Sequence, residues 1–118
     1  MLISATHRPL AAADGAPLRL RLPLSRDHAA LSGLLGRLGL HASDLERRRL
    51  VAVDPRARLA VCATAWLDGR EVLAGYAAMS RDGDAEPDVL LVDEAVAPGV
   101  GTLLRAALAE QSRPRRVA

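Results

Sequence analysis

The chain has 118 residues, half of them hydrophobic, which suits a single domain with its own core. Only Trp66 and Tyr76 are aromatic, so we predict a core of small aliphatic side chains. The formal net charge is +2, and with so few aromatic side chains to stack on bases the composition argues against nucleic-acid binding. All 16 Lys+Arg residues are arginine, which is typical of a GC-rich genome, and we expect a bacterial source.

Thiol and metal chemistry are both disfavoured. Cys62 is the only cysteine and lies in the apolar run LAVCATAWL, so a buried hydrophobic role is favoured over a nucleophilic one. The pair Asp93-Glu94 could begin a metal site, but His7, His28 and His41 are scattered, and we expect no metal. The sequence shows neither a signal peptide nor a membrane-spanning run, which predicts a cytoplasmic protein without membrane contact.

The first half of the chain predicts one strand and two helices. Residues 1–16 show little periodicity and are predicted to be irregular. Apolar residues alternate with arginine over Pro17–Leu24, which indicates a half-buried edge strand. Leucine and alanine recur at spacings of three and four within Ser25–Gly39, which predicts a helix. The letters SDLE form a capping box and predict a second helix over 43–51.

The second half predicts three strands and a closing helix. Arg58–Leu67 and Glu71–Ser80 are apolar runs on either side of Asp68-Gly69, a strong signal for a β-hairpin. Asp88–Glu94 reads as a buried strand, and the pattern of Gly99–Gln111 indicates an amphipathic helix. The element order is therefore β-α-α-β-β-β-α, and we predict an α+β fold with a mixed, mainly antiparallel sheet.

A glycine-rich loop, Ala97-Pro98-Gly99-Val100-Gly101, joins the last predicted strand to the closing helix. Free amides at a helix start, together with the helix dipole, attract phosphate, and glycine lets such a ligand approach the backbone. An ordinary turn is the alternative. A dinucleotide-binding fold is excluded, because its glycines would follow an early strand with an acidic residue about 20 positions further on.

The block AEPDVLLVDEAVAPGVGTLL, at 85–104, resembles the GNAT superfamily of acyl-CoA-dependent N-acetyltransferases, and within it the bacterial protein-lysine acetyltransferases. Gly99 and Gly101 match the glycines of the family loop Q/R-x-x-G-x-G/A. Val96 departs from that pattern in replacing Gln or Arg, and Pro98 lacks the N–H that a phosphate would use. The resemblance spans about Asp14 to Gln111.

The resemblance implies transfer of an acetyl group from acetyl-CoA, as co-substrate and without a metal, to an amine such as a protein lysine. It implies that Glu86 is the general base, and the alternative is that Glu86 is a solvated acid without a catalytic role. It also implies a set of residues that contact the cofactor: Leu91, Val92, Val96, Gly99, Val100, Gly101 and Thr102.

The resemblance also sets the expected domain boundaries, with a truncated GNAT-like domain over 17–111 and a basic tail over 112–118. The family's last β-α-β-β part has no counterpart in the sequence, so the strand at 88–94 is expected to form an exposed edge. Such an edge invites pairing with a second copy or with a partner chain. The alternative to the enzyme is a non-catalytic GNAT-like module for regulation or assembly, which agrees better with Val96 and Pro98.

Overall fold

The computed structural model describes residues 8–82 and 86–112 as a five-stranded sheet with helices on both faces. The elements follow in chain order: β1 (Arg8–Ala11), β2 (Pro17–Arg21), α1 (His28–Arg37), α2 (Asp44–Val51), β3 (Arg58–Leu67), β4 (Arg70–Ser80), β5 (Val89–Val92) and α3 (Val100–Ser112). The strands lie side by side in the order β1-β2-β3-β4-β5, and each neighbouring pair is antiparallel. The α+β class and the element order from β2 onward are confirmed. The sequence predicts a mixed sheet, but the described strands include no parallel pair.

The structure differs from the sequence prediction at the first strand. Arg8–Ala11 pairs with β2 from Arg8↔Leu20 to Ala11↔Pro17, although the segment lacks a periodic pattern. Because β3 pairs with its other side, β2 is an inner strand, and the predicted edge position is wrong. The connecting turn uses Gly15 at φ +86°, a left-handed conformation that glycine adopts without strain. Four residues at a sheet edge are too short to produce a recognisable alternation, so the prediction of irregular structure is wrong there. Residues 1–7 lie outside the described part.

The β3–β4 hairpin is confirmed as predicted. Asp68 and Gly69 both have positive φ, +52° and +77°, which is the combination that a two-residue turn of type I′ requires. Pairing runs from Leu67↔Arg70 to Arg58↔Ser80, with an irregularity at Ala63/Thr64 where Ala74 is the extra residue of β4.

The capping box of α2 is also confirmed. The Glu46 amide donates to Ser43 Oγ at 3.1 Å, and the Ser43 amide donates to Glu46 Oε1 at 2.9 Å. The helix ends at Val51, as its pattern predicts. The closing helix continues to Ser112, one residue into the predicted tail, and residues 113–118 lie outside the described part. Within the described ranges, no helix has the length and apolarity needed to cross a membrane.

Helix α3 packs on one face of the sheet and forms with it what we call the α3-side core. Its buried members are small or aliphatic: Ala12, Leu18, Leu20, Leu59, Val61, Ala63, Ala65, Ala74, Ala77, Met79, Ala97, Val100, Leu104, Ala107 and Leu108. Gly75 makes the close approach possible, since a Cβ there would lie 2.6 Å from Leu104 Cδ1 and 3.2 Å from Val100 Cγ2. A glycine in the middle of β4 is therefore a requirement of helix packing.

Helices α1 and α2 cover the opposite face and form the α1/α2-side core: Leu31, Leu34, Leu35, Val51, Ala60, Cys62, Leu73, Tyr76 and Ala78. This core includes polar atoms. Tyr76 is buried, and its hydroxyl donates to the Leu50 carbonyl at 2.6 Å, which links β4 to α2. Cys62 is fully buried, which confirms its hydrophobic role, and burial raises the pKa of its thiol to about 12.

Candidate functional site

The loop between β5 and α3 begins at Asp93, a buried carboxylate. Its backbone amide donates to the Ala74 carbonyl at 2.8 Å, which extends the β4–β5 pairing by one residue. Its side chain accepts from Arg37 Nε at 2.7 Å and from the Val96 amide at 3.2 Å. Asp93 therefore ties the loop to α1 and holds the first turn of the loop closed.

Arg37 approaches from the last turn of α1 and has a second contact on the sheet. Its Nη2 donates to the Leu73 carbonyl, beside the irregularity in β4. The guanidinium thus binds a carboxylate and a backbone carbonyl with a planar group that suits both. Because Arg37 and Asp93 are 56 residues apart, neither residue signals this contact in the sequence.

The chain then turns sharply into α3. The Ala97 amide donates to the Asp93 carbonyl at 3.0 Å, and the Val100 amide donates to the Ala97 carbonyl at 3.1 Å. The Pro98 carbonyl accepts from the Ala13 amide at 2.7 Å, so the loop is also attached to the β1–β2 connection. Gly99 has φ +86°, which a residue with a side chain would adopt only under strain. The second half of the loop is thus a rigid turn.

Glu94 lies across the start of α3 and uses both carboxylate oxygens there. Oε1 accepts from the Gly99 amide at 3.2 Å, and Oε2 accepts from the Gly101 amide at 3.3 Å. A negative charge at this position is also stabilised by the helix dipole. The amides that the resemblance assigns to a pyrophosphate therefore converge on one anion, and in this structure that anion is the protein's own glutamate.

The other predicted cofactor contacts are distributed around this turn. Val100 is fully buried in the α3-side core, Val96 packs against that core, and Thr102 is exposed on the first turn of α3. Val92 lies beside Gly101, because a Cβ placed on Gly101 would be 3.4 Å from Val92 Cγ1. A side chain at position 101 would therefore contact Val92 at the end of β5.

Leu91 and Val92 differ in the direction of their backbone groups. The carbonyl oxygen of Leu91 is only 3.2 Å from the Cβ position of Gly75, so it points into the sheet. Since Asp93 also donates into the sheet and antiparallel residues alternate, the N–H and C=O of Val92 point to the open side of β5. Of these two predicted contacts, Val92 alone presents its amide at the free edge.

Glu86, the predicted general base, is exposed and lies 19 positions before its partner on α3. Its Oε2 is 3.1 Å from Arg105 Nη1 in a surface ion pair. Arg105 follows Gly101 by four residues, so Glu86 is next to the second turn of α3. The structure therefore brings Glu86 to the same helix as the glycine loop, one turn further along.

Sequence reasoning missed the role of Glu94. The pair Asp93-Glu94 was visible, and the preference of helix starts for acidic groups could have assigned Glu94 to the amides of α3. Two clefts in the described part of the surface, of about 380 and about 270 Å³, are lined by residues of other segments. Among the residues that the structure describes, no group of three or more His, Cys, Asp and Glu side chains could hold a metal ion.

Comparison with known proteins assigns neither a family nor a function to this site. No family model, no curated protein and no solved structure matches the chain.

Proposed function

We propose that the protein is a GNAT-type N-acetyltransferase that transfers an acetyl group from acetyl-CoA to an amine. One observation carries the proposal: the amides of Gly99 and Gly101 hold both oxygens of one carboxylate at the start of a 13-residue helix. Two converging amides at a helix start are suited to any oxyanion, including a phosphate. The element order from β2 to α3 also agrees with the order that the resemblance implies.

Acetyl-CoA would supply the activated acetyl group as a thioester. Its pyrophosphate would replace the Glu94 carboxylate on the amides of Gly99 and Gly101, because both groups need the same donors. Pro98 contributes no amide and its carbonyl is bound by Ala13, so the donor set is smaller than the family loop provides. Val92 would contribute its outward amide, and Glu86 would take the proton that the amine must lose before it reacts.

Calorimetry with acetyl-CoA tests the binding step. Glu94→Gln removes the competing charge and should tighten binding about fivefold, the factor that roughly 1 kcal/mol represents. Gly101→Glu should abolish binding, and Glu71→Gln, which removes one negative charge from β4, serves as the matched control. Absence of heat for both wild type and Glu94→Gln at millimolar acetyl-CoA would overturn the proposal.

The catalytic step is tested by thiol release from acetyl-CoA with a panel of amines. Glu86→Gln should lower the rate, and Arg105→Gln should leave the Glu86 carboxylate unpaired without removing it. Equal rates for wild type and Glu86→Gln would remove Glu86 as the base while leaving the binding proposal intact.

A non-catalytic GNAT-like module is the second candidate, and two contacts favour it. Glu94 already satisfies the amides of the loop, and Glu86 is already paired with Arg105. Such a module would act in regulation or assembly. Acetyl-CoA binding without turnover for any amine in the panel would favour this candidate over the enzyme.

A partner strand on β5 is part of both candidates. The sheet ends at β5 in the described residues, and Val89–Val92 are four apolar residues that are only partly buried. We propose that a second copy or another chain pairs with this edge. Light scattering at increasing protein concentration checks the first option, and a strict monomer would rule out the homodimer.

A further inference from the structure

The cleft of about 270 Å³ lies at the end of the sheet where β3 begins and β4 ends. Its walls are mainly apolar and come from the residues after β2, from the segment before β3 and from β3 itself: Leu22, Pro23, Val53, Pro55, Leu59 and Ala60. Its polar residues are Arg58, Arg81 and Gln111. Gln111 lies near the C-terminal end of α3, ten residues from Gly101, so the cleft is roughly 15 Å from the glycine loop.

The charged residues that line this cleft are basic. Two arginines line it and no acidic residue does. Arg58 is occupied, because both of its terminal nitrogens donate to the Asp88 carboxylate. Arg81 donates its Nε to the Pro55 carbonyl at 2.5 Å, and no carboxylate among the described residues pairs with its guanidinium. Arg81 is therefore the cation at this cleft that has no carboxylate partner among the described residues.

Gln111 provides a second polar group on the same cleft. Its side-chain Nε2 is buried and has no hydrogen-bond acceptor among the described residues. Most buried polar atoms in proteins have a partner, so a donor of this kind favours an oxygen-bearing ligand nearby. A guanidinium and an amide donor beside an apolar wall are the groups that recognise a carboxylate with an apolar tail.

We infer that this cleft binds a small monocarboxylate of about eight carbons in total, with an unbranched apolar tail. The carboxylate binds Arg81, and the tail lies along the apolar wall formed by Val53, Pro55 and Leu59. The length follows from the volume, since about 270 Å³ accommodates roughly nine or ten non-hydrogen atoms at the density of a liquid. This site is separate from the glycine loop and does not depend on acetyl-CoA binding.

The test is an NMR titration of the full chain with octanoate. Octanoate should shift the backbone signals of Leu22, Val53 and Ala60 in a saturable manner. Octanol tests the need for charge, octyl phosphate tests whether phosphate replaces carboxylate, and hexanoate and dodecanoate test the length of the tail. Octanoate should bind more tightly than each of these four compounds.

Arg81→Gln should weaken octanoate binding roughly tenfold, the usual scale for a lost charge-assisted hydrogen bond. Arg81→Lys keeps the charge and should lie between this variant and wild type. Arg56→Gln is the matched control, because Arg56 is 93% exposed and does not line the cleft, and it should bind octanoate as wild type does. Far-UV spectra establish that each variant is folded.

Three results would overturn the inference. The first is the absence of saturable shifts at these residues with octanoate up to solubility. The second is equal binding of octanol, or tighter binding of octyl phosphate, which would assign the cleft to a neutral or phosphorylated ligand. The third is an Arg81→Gln variant that is folded and binds octanoate as tightly as Arg56→Gln.

Discussion

The two faces of the sheet are stabilised in different ways. The described α3-side core consists only of Ala, Leu, Val and Met side chains, and it is close-packed because Gly75 has no side chain. The α1/α2 side also contains buried polar groups, including the thiol of Cys62 and the hydroxyl of Tyr76. A chain with almost no large aromatic residues therefore uses close approach on one face and directed hydrogen bonds on the other.

Among the residues that the structure describes, the most buried ion pair lies on the α1/α2 side. Arg21 follows Leu20 of the α3-side core, so its side chain alternates to the opposite face, where it is paired in register with Cys62. Its two terminal nitrogens donate to the two carboxylate oxygens of Asp27 at 2.7 Å each, and the Leu24 amide donates to the same carboxylate at 2.6 Å. Burial alone would raise the pKa of Asp27, but these hydrogen bonds hold it below its usual value.

Asp27→Ala should have the largest effect on stability. It leaves the Arg21 guanidinium, whose side chain is only 11% exposed, without its partner, and removing one member of a buried pair costs about 3–5 kcal/mol. Urea unfolding measures the loss. Arg48→Gln, which breaks an exposed pair with Asp44, is the control and should cost less than about 1 kcal/mol. Similar losses in the two variants would mean that burial does not distinguish these pairs.

Gly75→Ala should have the next largest effect and tests the opposite face. The new methyl would overlap Leu104 and contact Val100, and overpacking of this kind costs about 1–3 kcal/mol. Gly36→Ala is the matched control, because nothing lies within 4 Å of its Cβ position, and it should be neutral or stabilising by up to about 1 kcal/mol. The cost of Gly75→Ala should fall in a Leu104→Ala background, and an unchanged cost would exclude this contact as its cause.

Local sequence signals predicted most of the elements. The hairpin followed from Asp68-Gly69, because both residues tolerate the positive φ that its turn requires. The start of α2 followed from Ser43 and Glu46, which cap each other within four residues. These predictions were accurate because each depends on residues that are neighbours in the chain.

Long-range contacts could not be predicted in the same way. The need for glycine at position 75 had no signal in the sequence, because its reason is the side chain of Leu104, 29 positions later. The glycine loop was found at the right place, but the attachment of Asp93 to Arg37 depends on the packing of α1 against the sheet. The position of Glu94 on the loop amides required the actual course of the turn.

Alkaline pH should destabilise the protein through the α1/α2 side. Burial raises the pKa of Cys62 from its ordinary value of 9.0 to about 12, so the folded state keeps the proton more strongly than the unfolded state. This contribution to stability is complete below about pH 9 and is lost as the pH rises toward 12. Between pH 8 and 10 wild type should lose about 1.4 kcal/mol more than Cys62→Ala does. Urea unfolding of both proteins at pH 8 and pH 10 measures this difference, and equal losses of stability in the two proteins would contradict the prediction.

Tyr76→Phe should have the smallest effect of the four and tests whether hydrogen bonding stabilises the α1/α2 side. The variant keeps the ring and removes the donor to the Leu50 carbonyl, which should cost about 0.5–1.5 kcal/mol. Burial also raises the pKa of the Tyr76 hydroxyl, so the variant should lose less stability than wild type above about pH 10. Trp66→Phe, at an exposed position on the hairpin, is the control and should be within about 0.5 kcal/mol of wild type. If Tyr76→Phe unfolds at the same urea concentration as wild type, apolar packing holds α2 on the sheet, and the two faces differ less than their contacts indicate.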